Sequence, residues 1–375
     1  MSSSSSETIR SHHALRGVAA FLVLLFHFRD VTKSIGQAID ERTAFFSTGF
    51  IWVDFFFILS GFILSHVYGD AMTEIPGRTA QAVRRFYVAR FARIYPLHFA
   101  TLIAMIAVEL SAYVLRPGIA DAFVSDRKGI GSILQHLTMT HSWVTMRRLE
   151  WNVPSRSIST EGLAYLGFPL LLQLSNHRNA TARMLLPIAA LAIYTHTFLY
   201  FTDVESQHPV ARCLAGFVTG MVLHSLWRRS GRLRYATAGA LQLTALAAVV
   251  AAMHFGWSQA MVLAAFTLLI FVTAGDCGPL SRVLVSRPLL LLGTLSYSMY
   301  MTHWIAYRIY WMYGENALAG LASDYSPMKV YVLKVALLLA PTMLLSVLAY
   351  LYIEQPARRY FTRRLARRQG EAGAA

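Results

Sequence analysis

The stretch "ALRGVAAFLVLLFHF", Ala14–Phe28, decides how this chain is read. It is apolar apart from two ionisable side chains, Arg16 and His27, with ten uncharged residues between them. On an α-helix a separation of eleven is close to three turns, so the two share one face, ~16 Å apart along the axis. In a helix bound for a ~30 Å hydrocarbon core, the arginine end lies near a membrane surface and the imidazole roughly halfway through.

The rest of the chain repeats this texture. Of 375 residues, 55% are hydrophobic and 14% charged, and the mean hydropathy is +0.45. The apolar residues come in blocks of membrane length, near 14–30, 44–68, 94–115, 158–175, 184–201, 210–227, 236–254, 258–274, 289–312 and 329–352. The pattern predicts an all-α, polytopic transmembrane helix bundle of about ten spans.

The linkers divide by charge. One set holds Arg78, Arg84, Arg85, Arg90 and Arg93; Arg178 and Arg183; Arg228, Arg229, Arg232 and Arg234; Arg282 and Arg287; and the tail "ARRYFTRRLARRQ". The other is short or acidic, with Asp203, Glu205, Glu315 and Asp324. The sets alternate as the positive-inside rule requires when both termini are cytoplasmic. The formal charge of +15 therefore reads as topology and argues against nucleic-acid binding.

Residues 1–13 read as a disordered polar tail, 14–356 as the transmembrane domain and 357–375 as a basic cytoplasmic tail. Cys213 and Cys277 offer neither a disulfide framework nor metal spacing. No cleavable leader is expected, because the first apolar run continues into "HFRD" without a small-residue cleavage site. The long segment 116–157 is able to cover an outer opening, and "IGSILQHLTMTHSWV" within it reads as a surface or re-entrant helix.

Ionisable groups at membrane depth are expensive and face a bundle interior or a wet cavity. His27 is either a helix-packing imidazole or a general base, the role histidine fills most often. Asp54, in "GFIWVDFFFILSGFIL", requires an arginine or histidine from another helix, and Ser60–Gly61 beside it allows close helix approach. Arg90 and Arg93, three apart in "RRFYVARFARIYPLHF", share a helical face and form a fork suited to phosphate oxygens. Glu161, in "WNVPSRSISTEGLAYLGFPLL", sits either in a first helical turn capped by Ser157 or Ser159, or opposite a histidine that it orients. Arg212 stands at the outer end of its span, and Ser296, Tyr300 and His303 form a polar stripe on one helix.

Taken in order, these stretches resemble acyltransferase family 3, the bacterial integral-membrane O-acyltransferases. "LRGVAAFLVLLFHF" is similar to the family's opening arginine, ten residues, histidine, matched by Arg16 and His27. "GFIWVDFFFILSGFIL" resembles its second signature, around Asp54, Ser60 and Gly61. "RFARIYPLHF" resembles its Arg-x-x-Arg before Ile-Tyr-Pro, giving Arg90, Arg93, Tyr95 and Pro96. "PSRSISTEGLAYLGFPLL" places Glu161 at the family's glutamate, with Arg156 where a tryptophan is usual. "LGTLSYSMYMTHW" and "YIEQPARRYF" resemble the last two signatures, giving Ser296, Tyr297, His303, Glu354 and Pro356.

The resemblance implies a multi-pass inner-membrane enzyme. It would move an acyl group, most often acetyl, from cytoplasmic acyl-CoA to a hydroxyl of a sugar-bearing or lipid-linked envelope acceptor. It implies His27 and Glu161 as the catalytic pair, Arg90 and Arg93 with Arg16 as the grip on the donor's phosphates, and Asp54, Tyr95, Arg212, Ser296, Tyr300 and His303 as a substrate or structural network. Acyl-CoA is then a co-substrate; no tightly bound cofactor and no metal is expected, and membrane lipids are the remaining partners. A proton-coupled transporter is the alternative on composition. Such folds carry inverted repeats and interrupted helices, and neither is evident here.

Overall fold

The computed structural model describes residues 8–73, 79–115, 130–143, 151–175, 180–200, 208–231, 234–314 and 325–372. Several residues used above to assign sidedness (Arg78, Arg178, Arg232, Asp203, Glu205, Glu315 and Asp324) lie outside them, as do 1–7 of the tail and 116–129 and 144–150 of the long segment.

The described residues are helical, without a strand. In chain order the α-helices are α1 (Arg10–Phe28), α2 (Lys33–Asp40), α3 (Trp52–Thr73), α4 (Thr79–Leu115), α5 (Ile130–Leu137), α6 (Ser155–Ser175), α7 (Ala180–Tyr200), α8 (Pro209–Arg229), α9 (Tyr235–His254), α10 (Gln259–Thr273), α11 (Pro279–Leu284), α12 (Arg287–Ile309), α13 (Pro327–Ala349) and α14 (Gln355–Ala372). Wide π turns follow α12 at Tyr310–Gly314 and α13 at Tyr350–Glu354.

Each of the ten apolar blocks contains or coincides with a helix. Among the described residues five helical stretches are long and apolar enough to cross a membrane: Gly49–Thr73, Thr79–Leu115, Pro209–Arg229, Tyr235–His254 and Pro327–Leu365. The others are shorter or more polar; α10 has 15 residues, while α1, α6 and α12 carry the ionisable and hydroxyl side chains discussed below. The chain is a multi-pass membrane protein.

Two boundaries differ from expectation for physical reasons. The helix α1 reaches back into residues read as disordered tail, because the backbone N–H groups of Arg10 and Ser11 donate to the Asp276 carboxylate at 2.8 and 2.7 Å. A carboxylate there satisfies donors that a helix start leaves open and meets the positive end of its dipole. The basic approach to the third block is not a separate linker: α4 runs unbroken through Pro96 for 37 residues.

The chain divides into two units. The first comprises Met1–Phe26, Ile39–Val83 and Leu163–Ser296. Its centre is the meeting of α3 with α8, where glycine removes the side chains that would hold the backbones apart. A Cβ on Gly61 would overlap the Phe217 carbonyl, and one on Gly220 the Ile58 carbonyl. Between helices in lipid, dispersion and close packing take the place of the hydrophobic drive.

The second unit comprises His27–Ala38, Arg84–Gly162 and Tyr297–Ala375. Its helices are tied by side chains reaching backbone: the Tyr297 hydroxyl donates to the Ile94 carbonyl at 2.7 Å, and the Lys334 ammonium to the Val31 carbonyl at 3.3 Å. A buried bidentate pair, Arg308 Nε and Nη2 on the Glu109 carboxylate at 2.7 and 3.1 Å, joins α12 to α4.

Candidate active site

Most of the singled-out residues fall in the second unit. His27, the penultimate residue of α1, is half-buried. Its ring lies 5.0 Å from that of His303, tilted by 43°, and 5.4 Å from that of Trp304, edge to face. Phe28 stacks on Tyr307 at 6.1 Å, fixing the end of α1 against α12.

His303 is fully buried, and its Nδ1–H donates to the Tyr300 carbonyl at 2.8 Å. A carbonyl only accepts, so this bond sets the tautomer and leaves Nε2 with a lone pair. That Nε2 is buried without a hydrogen-bond partner among the described residues. The imidazole beside His27 is therefore a built-in hydrogen-bond acceptor.

Tyr300, one turn earlier, shares a 2.7 Å hydrogen bond with the Ser157 hydroxyl. Ser157 donates its own proton to the Pro154 carbonyl at 3.0 Å, so Tyr300 is the donor of the pair. Glu161, one turn further along α6 and half-buried, acts electrostatically on Tyr300. The expected cap is not there: α6 begins at Ser155, so Ser157, Ser159 and Glu161 lie beyond its start, with no acid in the first turn. Pro154 permits the early start, and Ser157 and Ser159 turn their hydroxyls to Tyr300 and to the Met139 carbonyl.

In the same unit, Arg90 and Arg93 on α4 lie within electrostatic range of a third guanidinium, Arg358, in the first turn of α14. Phe361 packs edge-on to Phe91 at 5.4 Å, holding α14 to α4. Arg358 is steered by Glu354 at 3.6 Å, and Glu354 is itself buried and accepts from the Ser298 hydroxyl at 2.8 Å. A glutamate of the last signature thus orients a cation. The tail arginines read as a topology signal, and only the i, i+4 spacing of Glu354 and Arg358 hinted at more.

Tyr95 is a structural anchor whose hydroxyl donates to the Leu137 carbonyl at 3.0 Å. Near it the structure reveals a group that sequence reasoning missed. His98, His136 and His141 stack nearly parallel, with ring centroids 3.9 Å apart for 136 and 141 and 5.9 Å for 98 and 141. His98 donates to the His136 carbonyl at 2.8 Å. Burial first, then the neighbouring imidazoles, push His141 down to about 2; burial pushes His136 to about 4. The trio is neutral and ties the short α5, as expected no span, to α4. Among the described residues no three histidine, cysteine or carboxylate side chains are arranged to hold a metal ion.

The remaining residues lie in the first unit. Asp54 is wholly buried, and its carboxylate accepts from Arg212 Nε at 3.2 Å and from Arg212 Nη2. The arginine that Asp54 required is therefore the one noted separately on α8. Arg16 donates through Nε to the Ser296 hydroxyl at 2.9 Å and through Nη2 to the Gly293 carbonyl at 3.2 Å, locking α1 to the start of α12. Beside them a Cβ on Gly17 would overlap the Gly293 backbone.

The chain matches the acyltransferase family 3 model, an acyltransferase domain, over residues 10–351. It is 27% identical over 384 aligned residues to acyltransferase MdmB of Streptomyces mycarofaciens, covering 93% of this chain and 92% of that protein. Protein 2 in the picA locus of Rhizobium radiobacter is 36% identical over 118 residues, 31% of this chain and 53% of its own length. An uncharacterized protein of Haemophilus influenzae is 28% identical over 148 residues, 38% of this chain and 57% of its own. No solved structure matches the chain.

Proposed function

This chain belongs to acyltransferase family 3, and from that premise we propose that it transfers an acyl group, acetyl in the first instance, from acyl-CoA to a hydroxyl of a sugar-bearing or lipid-linked acceptor. The reading includes ten spans with both termini in the cytoplasm and residence in the inner membrane, on the charge alternation of the linkers. The observation that carries it is the half-buried His27 beside a second imidazole with a bare Nε2, in the unit that also holds three clustered guanidiniums.

In this reading the phosphates of CoA bind Arg90, Arg93 and Arg358, where charge-assisted bonds are strong. The thioester reaches His27. The acceptor hydroxyl gives its proton to His27 as its oxygen attacks the carbonyl carbon; the C–S bond breaks, and the proton passes to the departing thiolate, releasing CoA–SH. Tyr300, held as a donor toward Ser157, and Glu161 steady the charge that appears on the imidazole. His303 positions the ring of His27.

The test is acyl-CoA turnover by the purified chain with His27→Ala and Arg90→Ala beside it. Loss of turnover in His27→Ala and a raised KM for acyl-CoA in Arg90→Ala, with folding intact, support the reading. Unchanged turnover in His27→Ala overturns the assignment, and proton-driven flux without CoA release points to a transporter. Mass spectrometry of envelope glycans from a deletion strain identifies the acceptor.

A further inference from the structure

In the first unit the ends of α3, α6 and α8 and the start of α7 line a half-open cavity of about 620 Å³. Its composition is two-sided. Met184, Leu186 and Met221 give an apolar wall, while His224, Arg228 and Arg229 gather at the other end. Arg228 pairs through Nη1 with Asp70, and a guanidinium so engaged keeps further donors. Two guanidiniums against one carboxylate leave a net positive charge, at the C-terminal end of α8 where the helix dipole does not oppose it.

His224 supplies an independent sign of a missing ligand. It is 6% exposed, its ring sits 5.3 Å from Phe62, and its Nε2 is buried without a hydrogen-bond partner among the described residues. A buried imidazole nitrogen without a bond is costly unless something polar meets it.

We propose that this cavity holds an anionic phospholipid of the cytoplasmic leaflet. The phosphate lies between Arg228 and Arg229, the polar backbone of the lipid meets His224, and the chains run along Met184, Leu186 and Met221. Basic pockets between membrane helices on the cytoplasmic side bind such headgroups. The apolar wall favours a lipid over a free anion, and the lone carboxylate, already paired, favours an anionic over a zwitterionic head. The leaflet rests on the topology proposed above; the lipid itself does not, because a nanodisc presents both leaflets.

The experiment reads retained lipid, so it is independent of acyl transfer. The full chain is reconstituted in nanodiscs of phosphatidylglycerol and phosphatidylcholine, and co-purifying lipid is counted by native mass spectrometry. Phosphatidylglycerol retained about tenfold over phosphatidylcholine is expected, with Arg228→Gln/Arg229→Gln removing most of that preference and Arg363→Gln/Arg364→Gln leaving it. Equal retention of the two lipids, an unchanged preference in the first double variant, or displacement of the lipid by inorganic phosphate or CoA overturns the proposal. A photoactivatable phosphatidylglycerol on the wild-type chain needs no variant: labelling at the ends of α3, α6 and α8 or the start of α7 supports the site, and labelling confined to other segments refutes it.

Discussion

Each unit buries an arginine against a carboxylate, yet the second also holds the half-buried groups proposed for acyl transfer. In the first, Asp54 is sealed and accepts two bonds from Arg212, and Arg16 is held by Ser296 and Gly293. In the second, Glu109 and Arg308 satisfy each other in the same manner, but His27 and Glu161 stay half-buried and His303 has a bare Nε2. Depth in the membrane is therefore a poor guide to chemistry. What separates a strut from a reacting group is whether an opposite charge already seals it and whether a substrate can reach it.

The largest blow to that contrast comes from its reactive side. His27→Ala is expected to lower acyl-CoA turnover by about 10²–10⁴-fold, the usual worth of a general base, with an unchanged thermal transition. Turnover within threefold of wild type would erase the distinction.

Asp54→Ala tests the strut side. It leaves Arg212 buried and unpaired, which costs about 3–5 kcal/mol of stability, and Glu109→Ala is expected to do the same through Arg308. The readout is the thermal transition in detergent. An inactive but equally stable Asp54→Ala variant would move Asp54 among the reacting groups.

A smaller effect sharpens the donor end. Arg93→Ala and Arg358→Ala each raise KM for acyl-CoA about tenfold with little change in kcat, as expected for loss of one charge-assisted phosphate contact. Glu354→Gln is expected to raise KM less, because it only lets Arg358 wander.

At neutral pH the smallest effect concerns the histidine stack, which shows itself only in acid. The unfolded chain takes up protons near 6.5, whereas His136 does so at about 4 and His141 at about 2. Their contribution is therefore complete above about pH 6.5 and is lost as pH falls toward 4. A slope near 1 kcal/mol per pH unit for each group is expected in that window. His141→Gln flattens the acid limb of stability against pH; an unchanged limb would mean that the stack is not held neutral.

The sequence was most legible where one helix carries the whole pattern. Arg16 and His27 lie on α1 as the spacing requires, Gly61 permits the close approach expected of it, and "IGSILQHL" is a short helix. What it hid is pairing across long separations. The need of Asp54 for a cation was evident, but nothing local says that the cation stands 158 residues away. Arg308 and Glu109, 199 residues apart, raised no local signal at all. Positive-inside counting masked Arg358, since a rule that sums charges says nothing of where one of them points. The helix start at Ser155 was misplaced because capping statistics favour the next serines, while Pro154 and the Tyr300 hydroxyl decide otherwise.

The widened turn at Tyr350–Glu354 has a consequence for clocking. It joins α13 to α14 without a loop, so the angular phase of everything beyond it is set by how many residues that one turn contains. Deleting a single residue there would rotate α14 by about 100° about its axis. Arg358 would then swing off the side that carries Arg90 and Arg93, an effect no substitution in this helix reproduces.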